Sequence, residues 1–579
     1  MSDLGMASAG DRMYFHFPPD PVNFKTLNFF LPVDHLSLPC YMPIEVKAAY
    51  NSYAGDMSIF GSKWTFNYNI FIQRVGTHLE VREGDGFSNP YYKEKNLEEA
   101  NKALAEQLVV ARKKADLQNA SGLQPASVYD DYKKRVLTDV TFREEQEEKL
   151  LARSRNLSPG MYYSLARGPS TLELKADGSF VRSFQNGASE AFNRDGRIIT
   201  STDRNGNSIT FAYQGNLLTR ANDMCGRYMS FSYKTDKALN GLVSSITDSI
   251  GREMKYEYFP EKRLKSVLDP SKRLIEYTYD KDGNMTSIST KLPSPNDKNP
   301  EVIQLTYNSK GEVETQKGPG KAESRFKRTF VANNPNHSIT EIARYANGKL
   351  ESREVQESKL KEFEQISRFD ASGKETKKEI RKISPVTGYP ISILDGKGNG
   401  ELYDYDAQTG NLLKRQTIPA QETLEFAYDD RCNLVTKMIT KRAGQPDLLG
   451  IFAFDTKCNL LDAKEIIGAK ETKSINIRYN AQGKIAFLTN KLMNKEVAFT
   501  YWKYGKPDSI TLKDVGSLIV TYSALGDIEK VDTYPHGAGK KRFEKTPKNT
   551  YQSIILSEVR GALDEMLNYL KPAGVNIGL

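Results

Sequence analysis

Apolar residues in this chain fall on every second position of short runs, and turn-forming residues separate the runs. In "YTYDKDGNMTSI" (277–288), Tyr277 and Tyr279 alternate with Thr278, Asp280 to Asn284 is turn chemistry, and Met285 and Ile288 restart the apolar pattern. The same alternation recurs at Ile209/Phe211/Tyr213, Met229/Phe231/Tyr233, Met254/Tyr256/Tyr258, Leu424/Phe426/Tyr428 and Ile475/Ile477/Tyr479. Period two puts these side chains on one sheet face and Ser, Thr, Lys and Glu on the other. A turn Gly or Asn supplies the positive φ that a tight reversal needs.

Two patterns order the runs. The first, Asp-x-x-Gly-Arg/Asn followed by an alternating strand ending in Tyr, occurs at Asp203–Tyr213, Asp223–Tyr233, Asp248–Tyr258, Asp269–Tyr279 (Lys for Gly) and Asp395–Tyr405, with an Asp-to-Tyr offset of ten throughout. The second follows the Tyr: "YDKDGNM" with Gly283, "YNSKGEV", "YDAQTGNL" at Tyr405, "YDDRCNL" at Tyr428, "FDTKCNL", "YNAQGKI" at Tyr479 and "YSALGDI". Most copies lie about 20–28 residues apart, a spacing that signals a repeat architecture. Each unit holds two short strands and two turns, and no helix. A hairpin cannot bury its own apolar face, so neighbours must pair into a ribbon. Roughly thirteen units give some 25 strands, too many for an open twisted sheet, which must curl or split. A β-propeller would show alternate units differing systematically, and no two-unit period is visible. The expected fold is mainly β: a YD-repeat antiparallel hairpin ribbon spiralling into a hollow shell.

Two segments depart from period two. Residues 94–156 are helical in composition, with Leu97, Leu104, Leu108 and Ala111 at helical spacing and Gly122 and Pro125 marking a reversal. They are expected to form an inserted helical hairpin. At the end of the chain Ile555, Val559, Leu563, Met566, Leu567 and Leu570 form one stripe of a helix, stopped by Pro572 and Gly574. A lone helix of this length is marginal in water, and Gly561 weakens it, so the stripe must be covered. The basic stretch "GAGKKRFEKTPK" (537–548) before it lacks strand patterning. It is expected to be a tether, and Ile555, Val559, Leu563, Leu567 and Leu570 the docking stripe for a partner. The chain divides into an N-terminal β segment (1–93), the helical insertion (94–156), the β-repeats (157–535), and the basic linker with its helix (536–579).

Composition changes this picture little. The 579 residues include 31 tyrosines, and hydrophobic residues make up 38%, a balance suited to half-buried strands. A net charge of +9 without a concentrated basic stripe argues against nucleic acid as a partner. Cys40, Cys225, Cys432 and Cys458 form no CxxC or Cys/His cluster, so they read as reduced packing thiols and no metal site is implied. Cys432 and Cys458 occupy the glycine position of the turn. Equivalent turns of stacked hairpins lie two strands, about 9–10 Å, apart. That exceeds the roughly 7 Å limit for a disulfide. The N-terminus shows no signal-peptide pattern and no run of apolar residues reaches membrane-spanning length. Synthesis in the cytosol, with a dedicated route if the protein acts outside, is the expectation.

These residues resemble the RHS or YD-repeat family. The resemblance extends to residues 30–72, where Asp34, Leu38-Pro39, Pro43, Tyr50-Asn51-Ser52, Gly61 and Trp64 sit as in the segment that opens RHS cores. It implies a hollow β-shell, often built around a C-terminal toxin in bacterial competition or insecticidal complexes; related repeats occur in cell-surface recognition proteins. The chain lacks the Asp-Pro and Gly-rich box and the paired carboxylates of an aspartyl self-cleavage site. Few residues follow Tyr551, too few for a folded toxin.

Other motifs carry little chemistry. "GKGNG" (396–400) lies before a strand, so its glycines read as turn residues rather than a phosphate loop, and "GPGKAE" (318–323) lacks P-loop spacing. His16, His35, His78, His337 and His536 are isolated in sequence. The tyrosines could stack on sugar, but a fixed strand position reads as glue between hairpins. The function expected is a noncatalytic shell that encloses, carries or chaperones another polypeptide in toxin delivery or interbacterial competition. The alternative is a surface recognition or adhesion protein binding carbohydrate or cell wall. No enzyme activity and no cofactor are expected.

Overall fold

The structure is a computed structural model of the full chain. It describes residues 21–570 apart from 56, 76–77, 96, 119–121, 152–156, 165–167, 293–300, 385–387 and 408. His16, Pro572 and Gly574 lie outside the described residues. Among the described residues two compact units emerge, one drawing on 21–66 and 203–570, the other on 67–202.

In the larger unit, twenty-eight strands run from Ser208–Gln214 to Ile528–Pro535, each antiparallel to the next in chain order. The ladder is not divided into four-stranded blades. Its regularity follows from the alternation: Ile209, Phe211, Met229, Phe231, Met254 and Tyr256 are all buried, while the residues between them are more exposed. Register shifts by one residue immediately before Tyr213, Tyr233, Tyr258, Tyr279, Tyr307, Tyr405, Tyr428, Tyr479, Tyr501 and Tyr522. A bulge bends its strand and strengthens its twist. A bulge in most hairpins, beside the same turn edge at all ten of these tyrosines and beside the opposite edge at Arg344/Tyr345, Arg368/Phe369 and Glu465/Ile466, bends the ribbon repeatedly. Strands Phe30–Leu38, Ile44–Asn51 and Trp64–Phe66 form a separate three-stranded sheet in this unit.

In the smaller unit, five strands from Gly160–Ser164 to Ile198–Thr202 pair in chain order, and Phe71–Val75, His78–Arg82 and Ser88–Tyr91 form a second sheet. Its interior holds a buried ionic network. Arg182 donates to Glu83 at 2.6 and 3.1 Å, to Glu190 at 3.2 Å and to the Tyr91 hydroxyl at 2.7 Å. Burial pushes the Glu190 carboxyl above its usual range, against the pull of Arg182.

The helical insertion has three helices, not the hairpin expected: α1 (Leu97–Gln118), α2 (Ala126–Thr138) and α3 (Val140–Leu151). Asp139 makes the extra break, adopting an extended backbone and accepting the Phe142 amide at 3.0 Å. That is a helix-capping bond. Leu104, Ala105, Leu108, Val136 and Leu151 form a core shared among these helices, with Ala111 packed against it.

The C-terminal region also departs from expectation. The stretch read as a tether contains helix α4 (Gly537–Phe543), with Gly539 and Phe543 buried. A Cβ at Gly539 would lie 2.2 Å from the Val515 carbonyl oxygen, so only glycine lets the helix approach this closely. Helix α5 (Lys548–Leu570) follows. Its stripe does not await a partner: Ile555, Val559 and Leu570 are 0% exposed, and Leu563 and Met566 are nearly so. They pack with Phe452, Val497, Leu512 and Leu518 of the sheet, and Leu567 is partly buried against the same cluster. A marginal helix beside an uncovered apolar sheet face buries both surfaces at once, which offsets the ordering of the segment.

The cysteines are a third correction. Cys40–Cys225 and Cys432–Cys458 are disulfides, with Cα separations of 6.0 and 5.6 Å. The two-strand estimate fails because the Cys432 turn is one residue longer. Asp429 accepts the Asn433 amide and Asn433 holds the positive φ, whereas in the next turn Asp455 accepts the Cys458 amide and Cys458 itself holds it. Cys432 is thus displaced from the glycine position. Arg431 also reaches the Asp455 carbonyl at 2.8 Å, holding the two turns together.

Candidate functional site

The repeat residues occupy two edges of the ribbon. At one edge each turn is organised by its aspartate. Asp203 Oδ1 accepts the amides of Asn205 and Asn207 at 2.8 and 2.9 Å, and Asp248 Oδ1 those of Ile250 and Arg252 at 3.1 and 3.0 Å. Asp223, Asp269 and Asp395 do the same for the residue four positions on. The second carboxylate oxygen takes the side chain that ends the motif: Asn207 at 2.7 Å, Arg252 at 2.7 Å, Arg273 at 2.9 Å and Asn399 at 3.4 Å. This explains why Arg or Asn follows the glycine. Within "GKGNG" the amides of Lys397 and Asn399 are taken by Asp395, not presented to a phosphate.

At the other edge the tyrosines bind backward. Tyr233 donates to the Leu218 carbonyl at 2.7 Å, and Tyr279, Tyr428 and Tyr479 to those of Leu264, Leu412 and Leu460 at 2.8 Å. Tyr307, Tyr501 and Tyr522, which lie in the same phase, reach Met285, Ile485 and Pro507. Each tyrosine pairs forward across its own turn and anchors its hydroxyl on the strand before, so three successive strands are tied by one side chain. Tyr258 turns to the Ile59 carbonyl at 3.3 Å, and Tyr405 packs on Tyr389 and Tyr403. Tyr213, one residue before the end of its strand, sits in the equivalent position beside the register shift. Burial pushes the phenols of Tyr233, Tyr279 and Tyr479 well above their usual range. Gly283 has φ +79° and gives its carbonyl to the Tyr50 hydroxyl at 3.0 Å.

The structure then brings the two edges together, an arrangement the sequence does not display. Arg204 donates to the Cys458 carbonyl at 2.6 Å, Asn207 to that of Gln482 at 3.0 Å, and Asn459 to the Asn205 side chain at 2.9 Å. Farther along, Arg227 donates to the Ala524 carbonyl at 2.8 Å and lies 3.2 Å from the Tyr504 ring centroid. These partners are 254 to 297 residues apart. Turns at the start of the long strand ladder thus meet turns from its later part along a seam. Arg204, Asn207 and Arg227 were visible only as motif letters; their reach across the seam has no local signal.

The N-terminal segment braces the same ribbon. Trp64 lies against Tyr50 and Tyr277, Phe60 against Tyr256, and Arg252 donates to the Ser37 carbonyl at 2.8 Å. His35 is stacked 5.2 Å from Phe60 with both ring nitrogens unpartnered, and burial pulls its pKa down to about 3, so it is a neutral core residue. His337 sits 2.8 Å from Glu357. In the smaller unit His78 is held by Glu147 of α3 at 3.2 Å and by Glu80 at 3.5 Å. No helix of the described residues is long and apolar enough to cross a membrane.

A sequence-family profile described as a domain of unknown function (DUF6531) matches residues 19–91. No curated protein matches the chain. Among solved structures, the crystal structure of TcdB2-TccC3-Cdc42 aligns with 86% of this chain at 9% identity and a TM-score of 0.38, and that of TcdB2-TccC3 with 88% at 10% identity and 0.34. The Photorhabdus luminescens Tc holotoxin pore aligns with 75% at 9% identity and 0.29. The chain spans 27%, 27% and 31% of those chains respectively.

Proposed function

We propose that this chain is a noncatalytic repeat wall that encloses, carries or chaperones another polypeptide, in a toxin-delivery or interbacterial-competition setting. The observation that carries the reading is the seam. A ribbon whose early turns bond to its late turns makes a wall that returns on itself, the geometry an enclosure requires. The repeat residues named above serve the wall: their aspartates hold turns and most of their tyrosine hydroxyls hold neighbouring strands. A carbohydrate-binding surface built on the tyrosine ladder fits this less well, because those groups are already engaged. The toxin setting rests on the resemblance of the repeats to RHS proteins. The test is purification from the native cell, identification of the copurifying polypeptide by mass spectrometry, and protease treatment of that polypeptide alone and with the wall. Protection that is lost when the seam variant Arg204→Ala/Arg227→Ala opens the wall supports the reading. Equal cleavage with and without the intact wall refutes it, and clear glycan-array hits favour the adhesion alternative.

A further inference from the structure

Folding brings Cys40, Asp223 and Cys225 to one point. Cys40 lies between the strands Phe30–Leu38 and Ile44–Asn51, Asp223 ends the strand Leu217–Asp223, and Cys225 occupies the turn that follows. The two sulfurs and a carboxylate oxygen of Asp223 all lie within 4.8 Å of one another. Asp223 is only 8% exposed. Its Oδ1 accepts the amides of Cys225 and Arg227 at 2.8 Å each, as in the other turns, but its Oδ2 is buried with no hydrogen-bond partner. In the turns at Asp203, Asp248 and Asp269 that second oxygen is taken by the Asn or Arg ending the motif. Here Arg227 is drawn to the seam by Ala524 and Tyr504, leaving its own Nε and Nη1 unpartnered too. A buried, unpaired carboxylate oxygen carries a desolvation penalty that needs a reason.

We propose that, when Cys40 and Cys225 are reduced, their two thiolates and the Asp223 carboxylate hold a divalent cation of the zinc type. Two sulfurs and one oxygen suit a borderline-soft ion, and water completes a tetrahedron. A thiol reductant supplies two electrons and two protons and ends as a disulfide, while the Cys40–Cys225 bond becomes two thiols. Binding the cation then expels those two protons. The clasp between the N-terminal segment and the Asp223 turn is thus kept by metal in reducing surroundings and by the disulfide in oxidising ones.

The test uses the full chain, reduced with a phosphine, desalted anaerobically, and titrated with Co²⁺ and then Zn²⁺. One Co²⁺ per chain with a thiolate charge-transfer band, displaced by Zn²⁺, is expected; the oxidised chain gives no band. Cys40→Ser abolishes the band. Asp223→Asn, which keeps the Oδ1 acceptor of the turn, weakens binding about tenfold or more. The double variant Cys432→Ser/Cys458→Ser keeps the wild-type band, and circular dichroism checks that each variant is folded. No band in the reduced wild type, an equal band in Cys40→Ser, or wild-type affinity in Asp223→Asn overturns the assignment.

Discussion

Replacing Tyr279 by Phe isolates what the repeat tyrosine does. The ring stays, between Tyr50 at 6.2 Å and Phe259 at 6.3 Å, so packing is preserved. The hydroxyl is lost, leaving the Leu264 carbonyl (2.8 Å) without its donor and the Trp64 indole (3.4 Å) without its acceptor. A group left unsatisfied in a half-buried site costs about 1–3 kcal/mol. A chain of two compact units need not unfold in one step, so a global melting temperature is a poor readout. Amide hydrogen exchange in the strand Leu264–Leu268 reads the local opening directly. The expected change is exchange on the order of 5- to 150-fold faster there, with little change in the smaller unit. Tyr279→Ala removes the ring as well and should cost about 3–5 kcal/mol. If Tyr279→Phe exchanges at the wild-type rate while Tyr279→Ala is strongly destabilised, the tyrosine is packing alone and the backward bond contributes nothing.

A nonreducing peptide map should show Cys432 joined to Cys458; reducing that bridge, which closes a separation of 26 residues, should lower stability by about 3–4 kcal/mol by the loop-entropy relation. Gly539→Ala should unseat α4, because the new Cβ meets the Val515 carbonyl backbone, and limited proteolysis should then cut between α4 and the sheet. In the smaller unit, burial lowers the pKa of His78, but hydrogen bonds to Glu147 and Glu80 outweigh it and raise the value to about 9. A pKa raised on folding gives stability that is full below the unfolded value of about 6.5 and fades as pH rises through 9. The protection of α3 amides, taken as exchange relative to the intrinsic base-catalysed rate at each pH, should therefore fall over that window in the wild type and stay flat in His78→Gln.

Much of the ribbon was legible because its information is local. Alternation, a turn glycine and a fixed Asp-to-Tyr offset all lie within a dozen residues, and the strands pair with their chain neighbours. What was not legible is contact between distant segments. The stripe on α5 announces that it must be covered, but nothing in Ile555 or Val559 tells a sheet face from a separate protein. Helical composition runs through Asp139 without a glycine or proline, so the α2–α3 break depends on one capping carboxylate. The Cys432 bridge turned on one extra loop residue, which moves the positive φ to Asn433 and frees the cysteine to reach its neighbour.

The seam has a consequence in time. Strands that pair with their chain neighbours can be laid down as the polypeptide leaves the ribosome, with short loops to close and small entropic barriers. The partners of Arg204 and Arg227, however, lie 254 and 297 residues downstream. At roughly 5–20 residues per second they emerge about 13–60 s later. Throughout that interval the first turns of the ladder stand with Arg204 and Arg227 without their seam partners, and the growing ribbon is open along one side. On the proposed reading, a polypeptide to be enclosed would enter in this window without threading through a finished wall, and slowing translation ahead of residue 455 would lengthen it.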